Sequence, residues 1–146
     1  MRNPQAEGQM SAEMHYKLSD GAQGSDMAKS PKVLVVEDEA ILRFAIIEHL
    51  SANGFEVLEA RHSAEAFDIL EKQPGIDFLL TDIDMPGTID GLMLAKFAAE
   101  MWPQIRVAVV SGKRKAEITD LPDGSMFFSK PYDSSAICRE LKSWTA

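Results

Sequence analysis

At 146 residues, 45% hydrophobic and 26% charged, the chain has the size and balance of one soluble globular domain with a core of its own. Its formal net charge of -8 excludes non-specific nucleic-acid binding, which needs clustered Lys and Arg, and the one basic run, Lys113-Arg114-Lys115, is too short to serve. Cys138 is the sole cysteine, so no internal disulfide is possible. No apolar run approaches the roughly 18 residues of a membrane span or the ~7–15 of a secretory signal, and a cytoplasmic, reducing setting is expected.

Residues 1–30 contain no Val, Ile, Phe or Trp and are rich in Gly, Ser, Gln, Asp and Met. Such a segment buries too little surface to offset its ordering entropy, and a flexible tail is expected. It has room for a short helix from Ser11 to Leu18 and for an internal start at Met27. From Lys32 the pattern becomes regular. Val33–Val36 reads as a strand buried on both faces. Glu39–Asn53 has helical spacing through Leu42, Ile46 and Leu50, with Gly54 at the C-terminal cap position. Phe55–Leu58 is a second strand. Ser63 is the expected cap of a helix to Lys72, which Pro74-Gly75 ends. Phe78–Leu80 is a third strand, followed by a loop through Met85-Pro86-Gly87. Asp90 is placed to cap a helix from Gly91 to Trp102. Val107–Val110 is a fourth strand, Lys113–Asp120 a weak helix cut short by Leu121-Pro122, Met126–Phe128 a fifth strand, and Ser134–Trp144 a final helix. Alternating β and α units predict an α/β fold with a five-stranded parallel sheet flanked by helices. In such sheets the ligand site lies beyond the carboxyl ends of the strands.

What those strands deliver as they end is distinctive. The first gives Glu37-Asp38, the third Asp82 and then Asp84, the fourth Ser111, and the fifth Lys130. Carboxylates crowded at one sheet edge repel each other by roughly 4 kcal/mol per pair at ~4 Å and an effective dielectric of about 20. A bound cation is the simplest compensation. Oxygen ligands without His or Cys point to Mg²⁺.

The motifs Val-Val-Glu37-Asp38, Thr-Asp82-Ile-Asp-Met-Pro86-Gly87, Val-Val-Ser111-Gly112 and Ser-Lys130-Pro131, in this order on these strands, resemble the receiver domain of bacterial two-component response regulators. The resemblance runs from about Lys32 to Trp144. It implies a flavodoxin-like doubly wound (βα)5 receiver fold. It also implies that Asp82 accepts a phosphoryl group with Mg²⁺ as cofactor. By the same resemblance, Asp38 holds the metal, Glu37 acts beside it or through water, and Asp84 offers its backbone carbonyl. Ser111 and Lys130 would bind the phosphoryl oxygens, and the Lys130–Pro131 bond would be cis. By the resemblance Phe127 stands at the family's aromatic switch position, from which it would rotate inward as Ser111 shifts; simple core packing is the alternative for it. Inverting such an equilibrium from 1:99 to 99:1 takes about 5.5 kcal/mol of differential interaction.

Two departures from the family pattern stand out. The loop Met85–Gly91 is slightly longer than the commonest form. The interval from Ser111 to Lys130 is slightly shorter, so the fourth helix should be stunted. The face made by that helix, the fifth strand and the last helix is where many receivers dimerise, which leaves the mode of partnering open. Asp84 and Lys113, each two residues past a site residue, flank the path of an attacking water. An ion pair between them is expected to set the lifetime of the acyl phosphate.

His49 and His62 have no spaced partner for a metal, and His15 lies in the tail. Ile137 and Trp144 are expected to pack the last helix, although an exposed Trp144 would also suit a partner. The residues after Lys130 suffice for one helix and no output domain. A phosphoacceptor signalling domain rather than an enzyme is therefore expected. Its partners would be a histidine kinase or phosphotransfer protein and a downstream target, with no nucleic acid and no membrane. Two alternatives remain: a pseudo-receiver that binds partners without phosphorylation, and a haloacid-dehalogenase-type phosphatase, suggested by the Asp82-Ile83-Asp84 strand end.

Overall fold

The computed structural model describes residues 29–85 and 90–145. The expected tail, with its short helix, His15 and alternative start, and the turn at Pro86-Gly87 lie outside the described residues, apart from the tail's last two positions.

Five short strands form the centre: β1 Lys32–Val36, β2 Glu56–Ala60, β3 Phe78–Asp82, β4 Arg106–Ser111 and β5 Met126–Ser129. They pair in the order β2-β1-β3-β4-β5, and every pairing is parallel. The continuous aliphatic runs of β1, β3 and β4 take the three central places, where both faces are covered. Successive side chains point to opposite faces. On one face Leu34, Val36, Leu79, Val107 and Val109 pack under α2 (Ser63–Lys72) and α3 (Gly91–Met101). On the other, Val33, Val35, Phe78, Leu80, Ala108 and Val110 pack under α1 (Ala40–Ala52) and α4 (Ser134–Ser143).

The helix boundaries follow local chemistry. Gly54, just past α1, sits at φ +93, a conformation that costs a glycine nothing. The Asp90 carboxylate accepts the Met93 N–H and starts α3, and Asp133 accepts the Ser135 N–H at the start of α4. The cap of α2 is His62 and not Ser63: its Nδ1 accepts the Glu65 N–H, while Ser63 is the first helical residue and buried. Trp144 packs at a centroid distance of 6.2 Å from Phe78, with the Arg106 guanidinium 4.8 Å above its ring.

The fourth connection is shorter than the expected weak helix. Only Lys115–Glu117 is helical, as one 3₁₀ turn, and the chain leaves it extended at Ile118, with φ -107 and ψ 120. Asp120 adopts φ 63, and a residue before proline, here Leu121, is disfavoured in the helical region. Ile118 and Leu121 instead anchor an irregular strap against the α2/α3 layer, which Lys96 of α3 approaches through Asp120 at 3.8 Å.

Candidate functional site

Because all five strands run the same way, their carboxyl ends meet at one edge of the sheet. β1 and β3 are neighbours there, as are β3 and β4. Glu37 follows β1 and is buried, Asp38 beside it is exposed, and Asp82 closes β3 with only 3% of its surface accessible. Carboxylate oxygens of Glu37, Asp38 and Asp82 all lie within 4.8 Å of one another. Lys130, just beyond β5, reaches across to donate from Nζ to Asp82 Oδ2 at 2.7 Å. Its own backbone N–H donates to the Ser111 carbonyl at 2.8 Å, tying the ends of β4 and β5 together. The other Asp82 oxygen, Oδ1, accepts the Asp84 N–H at 2.9 Å. The Lys130–Pro131 peptide is cis.

The electrostatics of the cluster are unbalanced. Burial pushes the Glu37 carboxyl up from 4.5 to about 7, and the charges of Asp82 and Asp38 add to the push. The Glu39 N–H, which donates to Glu37 Oε2 at 3.0 Å, and the Lys130 charge pull the other way. Burial also works against the Lys130 ammonium. Its bond to Asp82 and the charges of Asp82, Glu37 and Asp84 outweigh that, and its pKa is raised. Three carboxylates facing one ammonium, with oxygen as the only donor type, fit a hard divalent cation such as Mg²⁺. Glu37, Asp38 and Asp82 are the residues that would hold it.

Ser111 is fully buried at the end of β4, and its hydroxyl donates to Asp84 Oδ2 at 2.9 Å. The Gly112 N–H donates to the same oxygen at 3.2 Å, and the Lys113 N–H donates to Ser111 Oγ at 2.9 Å. The expected Asp84–Lys113 ion pair is therefore not formed. The Asp84 carboxylate is taken by the hydroxyl and amide donors of β4, while the exposed Lys113 stays in water, where an ion pair contributes little. Phe127 is half-buried on β5, against the cluster that also holds Ile118 and Leu121.

Two residues of the site were missed by sequence reasoning. Arg43 donates from Nη1 to the Glu37 carbonyl at 2.9 Å and from Nε to Glu59 Oε1 at 2.9 Å, joining α1 to the ends of β1 and β2. The available signal was its place on the inner face of α1 with Ile46 and Leu50, where a charge must find a partner. Gly91 lets the first turn of α3 close on β3: a Cβ there would collide with the Asp82 carbonyl oxygen and Ile83 Cα. Its signal lay only in tertiary structure.

Similarity to known proteins agrees with this geometry. The chain is 28% identical over 114 residues to the response regulator receiver protein CpdR of Brucella abortus, covering 76% of this chain and 93% of that one. It is 35% identical over 118 residues to a chemotaxis protein CheY homolog of Campylobacter jejuni, covering 76% and 89%. Among solved structures, the receiver domain of the hybrid histidine kinase CckA superposes with a TM-score of 0.67 at 34% identity, covering 79% of this chain and 99% of that one. A response regulator receiver protein from Pseudomonas putida does so with a TM-score of 0.71 at 29% identity, covering 80% and 99%. Residues 33–142 match the response regulator receiver domain, and the chain belongs to that family, the receiver domains of two-component signalling.

Proposed function

We propose that this receiver signals by accepting a phosphoryl group on Asp82, with Mg²⁺ bound by Glu37, Asp38 and Asp82 and by the backbone carbonyl of Asp84. The observation that carries this reading is the buried Asp82 carboxylate, paired with Lys130 at 2.7 Å and within 4.8 Å of the Glu37 and Asp38 oxygens. An oxygen of Asp82 forms an O–P bond as the donor's bond to phosphorus breaks. In phosphohistidine or phosphoramidate that is a P–N bond, whose electron pair leaves with the nitrogen, which then carries a proton. In acetyl phosphate it is a P–O bond, whose electron pair leaves with acetate. Lys130 neutralises charge on the equatorial phosphoryl oxygens, and Ser111 donates its hydroxyl to one of them. The metal supplies further neutralisation of that charge when bound.

The donor would be a phosphohistidine on a sensor kinase or phosphotransfer protein, or a small phosphodonor. The product would act by binding a downstream protein or by passing its phosphoryl group along a relay. Phe127 would report the modified state by turning inward as Ser111 moves. No described helix is long and apolar enough to cross a membrane.

The test is incubation with phosphoramidate or acetyl phosphate, with and without Mg²⁺, followed by intact mass measurement beside an Asp82→Asn control. A Mg²⁺-dependent gain of one phosphoryl group in the wild type alone is expected. Its absence with every donor would leave a pseudo-receiver, bound by partners in its unmodified form.

A further inference from the structure

We propose that the Asp84 side chain is a latch that holds Ser111 in its resting position and is released by charge on Asp82. The inference rests on the phosphoacceptor reading of Asp82.

Asp84 touches both ends of the event. Its backbone N–H donates to Asp82 Oδ1 at 2.9 Å, and its Oδ2 accepts the Ser111 hydroxyl at 2.9 Å. The Gly112 N–H holds the same carboxylate oxygen at 3.2 Å. Ser111 Oγ is pinned from behind by the Lys113 N–H at 2.9 Å. A serine hydroxyl carries one proton. That proton goes either to Asp84 or to a phosphoryl oxygen on Asp82, so the two bonded states exclude each other. A hydrogen bond to a carboxylate is among the stronger kinds, and in the resting protein it keeps the hydroxyl from the phosphoacceptor.

Phosphorylation changes the balance through charge. An acyl phosphate carries about -1.5 to -2 charges, by analogy with other protein phosphates, where the carboxylate carried one, at a position two residues from the Asp84 carboxylate. Like charges repel, the exposed Asp84 side chain exchanges its bonds to Ser111 and Gly112 for water, and the Ser111 proton becomes available to the phosphoryl oxygen. The latch thus converts the new charge into movement of a fully buried residue. It also makes the resting state resist spontaneous activation.

The test is a double-mutant cycle between Asp84→Ala and Ser111→Ala, read as affinity for beryllofluoride, a phosphoryl mimic that binds the acceptor carboxylate, with Mg²⁺ present. The Gly112 amide resonance follows each titration. Removing the Asp84 charge tightens binding in both backgrounds, because repulsion is lost. The gain should be on the order of tenfold larger when Ser111 is intact, as expected for one charge-assisted bond. Asp84→Asn, which keeps a neutral acceptor, should fall between wild type and Asp84→Ala. Equal gains in both backgrounds would overturn the latch while leaving the phosphoacceptor reading in place. A wild-type protein that binds no beryllofluoride and takes up no phosphoryl group would overturn both.

Discussion

Gly91 shows how a single atom governs the site. The first turn of α3 lies so close to the end of β3 that a methyl group there would meet the Asp82 carbonyl oxygen and Ile83 Cα. Backbone atoms cannot yield as a flexible side chain can, so Gly91→Ala should push α3 from the sheet. Overpacking of this kind costs about 1–3 kcal/mol, read as a lower denaturant midpoint at unchanged slope. An unchanged midpoint would mean that the helix start adjusts freely. Lys130 works at the same scale: one ammonium offsets part of a charge excess that burial alone leaves uncompensated at Glu37.

Among the elements, α1 does more than cover the sheet. Arg43 links it to the Glu37 carbonyl and the Glu59 carboxylate, and the Arg43 side chain is 15% exposed. The clamp holds the loop that presents Glu37 and Asp38. Arg43→Ala should lower stability by about 1–3 kcal/mol, since a buried carbonyl loses its donor. It should also raise the Mg²⁺ concentration that half-saturates phosphorylation, with Arg43→Lys restoring only part because an ammonium lacks the fork that reaches both oxygens. An unaltered Mg²⁺ requirement would confine Arg43 to a structural role. The strap in place of a fourth helix is the other element of consequence. With Ile118 and Leu121 packed inward, the fifth-strand face is bordered on that side by one 3₁₀ turn and an irregular strap in place of a full helix.

For the molecule as a whole, the proposed metal should couple to folding. A ligand bound only by the folded state stabilises it, by about 2.7 kcal/mol at a concentration one hundred times its dissociation constant. For a domain of this size that is on the order of 10 °C in Tm. Thermal unfolding with and without saturating Mg²⁺ should show the shift, and Asp38→Asn should abolish most of it. Equal Tm values in the two conditions would argue against a cation among these carboxylates.

Much of the fold was legible in the residues because its rules are local. Short, β-branched apolar runs such as Val33–Val36 and Val107–Val110 read as strands buried on both faces, and caps such as Asp90 mark helix starts. The site was legible because parallel strands bring their ends to one edge, so Glu37, Asp38, Asp82, Ser111 and Lys130 had to meet once the strands were recognised. The contacts between elements distant in sequence were not legible. His62 in place of Ser63 as a cap turned on side-chain geometry, and the strap at 118–125 turned on the burial of Ile118 and Leu121. That Asp84 bonds Ser111 and not Lys113 depended on which donors the end of β4 places within reach. The reason is physical: periodicity and caps encode where the backbone hydrogen-bonds to itself, whereas a polar side chain chooses its partner only when packing has set which groups lie within about 3 Å.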